Sequence, residues 1–256
     1  FFVQNGMIGI NATYRLAPEA TWPDGAIDVG AALDWARENI VSYGGDPKKI
    51  FLLGQSAGAV HVATYVLRKS MHPDNSGPGC AGAMLMSGVY GNSPENAAPN
   101  QIAYFGEPTD KYLEMAVLGN VDHGETPIMI STAEYDPLEW EKFSVELLLE
   151  IGSKFAWFPR YKQMSGHNHV SQVYSIGSGD NGIGPDIIDF INNTKKSLET
   201  FSRLIQWNIS FPIMTITNLR LTYHELIHIS LRMPISMKKL IKCDTRLHIR
   251  YWSGRT

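Results

Sequence analysis

Cysteine is scarce in this chain: Cys80 and Cys243 are the only two in 256 residues, and they stand in unrelated stretches. That argues for free thiols in a reducing, cytoplasmic setting rather than for a disulfide framework. Long apolar runs are also missing. No stretch reaches 18 consecutive apolar residues, which excludes a membrane-spanning helix of the usual kind. Neither an initiator methionine nor a basic segment leading into an apolar one accompanies Phe1-Phe2-Val3, so the chain reads as processed or truncated at its start. An excess of one charge is lacking too: 22 Lys/Arg stand against 25 Asp/Glu, net −3, and no nucleic-acid partner is expected. Internal repeats are absent.

What is present is unevenly distributed. Up to Thr194 there are 11 Lys/Arg against 22 Asp/Glu; beyond it, 11 against 3. The last 62 residues have no alanine, no valine and one glycine, where the preceding part has 18, 12 and 22. Such a shift marks a different origin, and out-of-frame or intron-derived sequence is the leading account. We expect a folded domain over 1–194 and a basic tail over 195–256. The 44% hydrophobic content suits one sizeable core.

Strand-type runs fall at 7–14, 50–53, 81–87, 127–132 and 155–158. Helical patterns fall at 24–40, 57–67 and 137–151, with the middle of a last helix at 187–191. Asp24 is the expected cap of the first helix, whose apolar residues include Ile27 and Trp35. Alternating strands and helices predict an α/β fold with a mostly parallel sheet covered on both faces. Residues 88–124 are too long and irregular for a crossover and read as a lid or pocket wall.

Gly54-Gln55-Ser56-Ala57-Gly58 sits where a strand turns into a helix. A serine on such a turn has a crowded backbone, so both flanking glycine positions are expected to need the missing Cβ. The helix behind it aims its first N–H groups at the site, and the Ala57 N–H can donate to an oxyanion beside Ser56. Ligands of parallel sheets bind beyond the strands' carboxyl ends. Two post-strand residues complete a nucleophile set there: Asp136, with Glu134 in reserve, and His169 or His167. The order Ser, Asp, His suits a serine whose proton passes to a histidine oriented by a carboxylate. Asp136-Pro137 also fits a plain helix start, with Asp at the cap and Pro first.

Together with Tyr14-Arg15-Leu16-Ala17-Pro18-Glu19, Gly44-Gly45-Asp46-Pro47, Tyr135-Asp136-Pro137 and Gly166-His167-Asn168-His169, the elbow resembles the hormone-sensitive-lipase-like branch of α/β-hydrolases, bacterial-type carboxylesterases in particular, over roughly residues 5–194. The resemblance implies Ser56 as nucleophile, Asp136 as acid and His169, three residues after a glycine, as base. It implies ester hydrolysis through an acyl-serine without metal or cofactor, acting on a small acyl ester. A kynurenine-formamidase-like amide hydrolase shares much of the pattern, and a catalytically silent remnant is the remaining alternative. The family's His-Gly-Gly-Gly segment is missing upstream of 14–19, along with the strand that carries it. The chain therefore reads as a fragment with one oxyanion donor and weak activity. A separate H-E-x-x-H pattern, His224-Glu225-Leu226-Ile227-His228, could bind zinc as in a peptidase, with Asp244 or His248 as third ligand. No glutamate follows Glu225, and Leu231 stands where the extended form needs glycine.

Overall fold

The computed structural model describes residues 1–194 except 73–75, 93, 94, 96, 108–110 and 181. The expectations for the tail, including the His224–His228 pattern, Cys243, Asp244 and His248, lie outside the described residues. Four strands, β1 (Phe51–Gln55), β2 (Gly82–Met86), β3 (Ile128–Ala133) and β4 (Arg160–Met164), form one parallel sheet in the order β1-β2-β3-β4. The helices are α1 (Asp24–Asn39), α2 (Ala57–Leu67), α3 (Pro99–Phe105), α4 (Tyr112–Met115), α5 (Leu138–Phe155), α6 (Ser171–Tyr174) and α7 (184–194).

The central strands β2 and β3 are buried along their whole length, as a sheet covered on both faces requires. Period-two alternation divides their side chains. Leu85 and Ile130 join Leu33 of α1, Val62 and Val66 of α2, and Leu147 and Ile151 of α5. Met84, Met86 and Met129 face Ile187 and Phe190 of α7. The α/β layering expected from the sequence is thus present.

Several local expectations are corrected. Residues 7–14 form no strand; they are largely exposed, and β1 has no second neighbour among the described residues to offer them a ladder. The strand expected at 155–158 lies later, because α5 continues through Phe155 and β4 pairs with β3 from Met129↔Arg160 onward. As an edge strand β4 is polar (Arg-Tyr-Lys-Gln-Met), so the neighbouring aromatic run drew the expectation away from it. Asp24 does not cap α1: Pro23 is the cap residue, and Asp24 accepts the Thr21 N–H at 3.0 Å. Ile27 and Trp35 are half exposed, at 50% and 48%. The face of α1 against α2 is built on glycine instead. A Cβ on Gly25 would lie 2.5 Å from the His61 ring, and one on Gly30 2.7 Å from Tyr65.

Candidate active site

β1 ends in the elbow. Ser56 has φ 55° and ψ −123°, a strained conformation for a residue with a side chain, and its N–H donates to Met86 O at 2.9 Å. Glycine is required at one flanking position rather than two. A Cβ on Gly54 would stand 2.3 Å from Gly58 O, whereas one on Gly58 would meet nothing within 4 Å. The elbow closes by bringing the Gly58 carbonyl against Gly54, so the crowding falls on the first glycine. Ala57 opens α2, so its N–H lies among the first-turn donors that lack an intrahelical acceptor.

Asp136 follows β3 and carries a fully buried side chain. Its Oδ1 lies 3.2 Å from His169 Nδ1, and its Oδ2 accepts the Ala133 N–H at 2.8 Å and the Ser87 hydroxyl. The plain helix-start reading is corrected here: Pro137 is the cap residue of α5, and the Asp136 carboxylate turns toward His169. Glu134, the reserve acid, accepts the Gly166 N–H and the Ser165 hydroxyl on the surface, and these donors lower its pKa. His167 is engaged by Ser171 Oγ at 3.2 Å and Asp180 at 3.5 Å.

His169 lies on the loop after β4, opened by Gly166 at φ 77°. Trp140 of α5 packs edge-on against its ring at 4.8 Å between centroids. Its Nε2 lies 3.1 Å from Gln55 Nε2, and the same Gln55 amide donates to His169 O at 3.1 Å. An amide NH₂ can only donate, so His169 Nε2 is the acceptor and Nδ1 holds the proton it gives to Asp136. That is the neutral tautomer a general base needs. No hydrogen bond joins Ser56 Oγ to His169 among the described residues; Gln55, the preceding residue, occupies that lone pair.

Four supporting residues escaped the sequence reading. Gln55 fills the motif's variable position, and Trp140 lies in the first turns of α5. Ser87, at φ 46°, follows β2, which ends at Met86, one residue before the end expected from the sequence, and that expected end hid it among the strand residues. Gln172 of α6 is buried and donates to Ser87 Oγ, so a chain of hydrogen bonds runs from α6 through Ser87 to Asp136. No group of three or more metal-ligating side chains occurs among the described residues.

A family model described as alpha/beta hydrolase fold matches residues 3–165. The esterase LipQ of Mycobacterium tuberculosis (strain ATCC 25618 / H37Rv) is 42% identical over 71 residues, 28% of this chain and 17% of that protein. The carboxylesterase NlhH of the same strain is 49% identical over 51 residues, 20% of this chain and 16% of that protein. The chain thus spans less than a fifth of the length of these curated relatives. Among solved structures, the Pyrobaculum calidifontis esterase in its monoclinic form superposes with a TM-score of 0.59 at 22% identity, covering 74% of this chain and 67% of that one. The bacterial heroin esterase does so at 0.56 and 24%, covering 70% and 62%.

Proposed function

Because the chain belongs to the alpha/beta hydrolase fold family, we propose that it is a serine hydrolase cleaving small carboxylic esters through an acyl-Ser56 intermediate. The observation that carries this reading is the Asp136–His169 pair, 3.2 Å apart, meeting the Gln55-Ser56 elbow at the carboxyl end of the sheet. The Gln55 amide yields His169 Nε2 to the Ser56 hydroxyl. Ser56 Oγ then attacks the ester carbonyl while His169 takes its proton, and the Asp136 carboxylate stabilises the imidazolium. The Ala57 N–H donates to the developing oxyanion. The alkoxide leaves with the proton from His169, and water repeats the sequence to free the acid. No metal or cofactor enters this scheme.

Residues 1–194 would form the hydrolase domain, with 88–124 as pocket wall. Free Cys80 suits a reducing, cytoplasmic location, and no nucleic-acid partner is proposed. No helix among the described residues is long and apolar enough to cross a membrane.

A second reading, a catalytically silent member, is favoured by the engagement of His169 with Gln55 instead of Ser56. A fluorophosphonate probe separates the two. Labelling that disappears in Ser56→Ala and falls in Asp136→Asn is expected, with turnover of p-nitrophenyl acetate; a formyl anilide assayed alongside tests the amide alternative. Absence of labelling in the unmodified chain would establish the silent reading.

A further inference from the structure

We propose that Gln55 is a positioning residue that latches His169 in the resting site and gives way to Ser56 when the serine is activated, an inference that rests on the hydrolase function above. In a straight strand the side chains of residues 55 and 56 would leave opposite faces of the sheet. The elbow interrupts that alternation. Ser56, at φ 55°, ends β1 and starts α2, and the Gln55 side chain reaches the loop after β4. There its amide nitrogen makes two contacts with one residue, to His169 Nε2 at 3.1 Å and to His169 O at 3.1 Å. A primary amide has two N–H groups, so both bonds are made at once.

The two contacts differ in what else supports them. His169 O also accepts the side-chain amide of Gln172 in α6, at 3.3 Å. The ring is fixed independently of Gln55, by Asp136 Oδ1 at Nδ1 and by Trp140 packed edge-on at 4.8 Å. Backbone and ring therefore have other anchors. Among the described residues, only Gln55 occupies Nε2. That nitrogen has a single lone pair, so the Gln55 amide and the Ser56 hydroxyl compete for it.

The competition sets the resting state. With Gln55 bound, Nδ1 carries the proton and Nε2 is already the acceptor, so the ring is held in the tautomer that Ser56 requires while the serine is left unactivated. When the amide turns off Nε2, its bond to His169 O and the Gln172 bond keep the loop in place. One neutral hydrogen bond sets the balance, which corresponds to about two- to tenfold in the ratio of latched sites to sites with Nε2 free. The His169 side chain keeps 24% of its surface exposed, so reagents reach it from solvent.

The test compares the full chain with variants at the two amides. Gln55→Met removes the donors and keeps the length of the side chain; fluorophosphonate labelling of Ser56 should proceed about two- to tenfold faster than in the unmodified chain. Gln55→Ala, which truncates the side chain, is read in the same way should methionine fail to fold. Gln172→Met, which removes the second amide on His169 O together with the donor to Ser87, should label more slowly. A merely structural Gln55 would give a loss at both positions, and labelling that is unchanged or slower in Gln55→Met overturns the proposal. Nitrogen-15 NMR of the imidazoles reads the latch without any chemistry at Ser56, the His169 signals being assigned by their loss in His169→Asn. The Nε2 resonance should move in Gln55→Met and stay in Ser56→Ala; the reverse pattern overturns the latch. Absence of labelling in both the unmodified chain and Gln55→Met counts against the hydrolase reading alone, and the NMR comparison then decides the latch.

Discussion

Residues 7–14 and β1 begin from similar material, short runs with β-type side chains, and end differently. Phe51–Gln55 finds β2 beside it and pairs from Phe51↔Gly82 to Gln55↔Met86. The earlier run has no adjacent ladder among the described residues, so Ile8 and Ile10 remain 45% and 50% exposed, and only Tyr14 makes a ring contact, with His61 at 4.5 Å. A strand is therefore a property of a pair of segments. Composition supplies candidates, and a hydrogen-bonding neighbour selects among them.

The largest effect expected from sharpening this contrast concerns the chemistry at the strand ends. Asp136→Asn should lower kcat on p-nitrophenyl acetate by about 10⁴-fold, because the amide no longer holds His169 in the required tautomer. Retention of most activity would remove Asp136 from the site. Next comes the paired core. Leu85→Ala in β2, fully buried, should cost about 2–5 kcal/mol in urea-induced unfolding.

The third prediction concerns His61 of α2, the ring that Tyr14 of the unpaired run packs against. Burial lowers the His61 pKa from 6.5 to about 4, with the charge of Asp28 partly opposing this. The unfolded chain then takes up the proton first as pH falls. Stability should be lost between about pH 6.5 and 4, by about 3 kcal/mol in total, and should show no further loss from this group below that range. Thermal melts of the chain and of His61→Leu across this window would show the slope flattening in the variant. The smallest effect belongs to the unpaired run: Ile10→Ser should change stability by less than about 0.5 kcal/mol. A cost like that of Leu85→Ala would break the contrast and place Ile10 in a core.

Gly54 and Ser56 were legible because an elbow needs one position without a Cβ and a helix start behind it, and both are chemical requirements written in residue types. Asp136 and His169 were legible as post-strand residues in the right order. The layering followed from the buried apolar runs at β2 and β3, where both faces are covered. The edge strand β4 was misplaced because its exposed side chains carry no apolar signal, and α1 was misread because its contact face consists of glycines that admit His61 and Tyr65.

What only the tertiary structure decided is who meets whom. The order of residues in the chain does not say that Gln55 takes the lone pair of His169, that Ser87 and Gln172 brace Asp136, or that the buried Arg68 Nε and Trp22 Nε1 are left without hydrogen-bond partners. Each depends on side chains from distant elements arriving within about 3 Å of one another or failing to, and a hydrogen bond is lost within a few tenths of an ångström beyond that range. Residue type and spacing determined the α/β layering, the elbow and the candidate triad, because those rest on local sterics and periodic burial; the partners of the polar atoms were decided by packing.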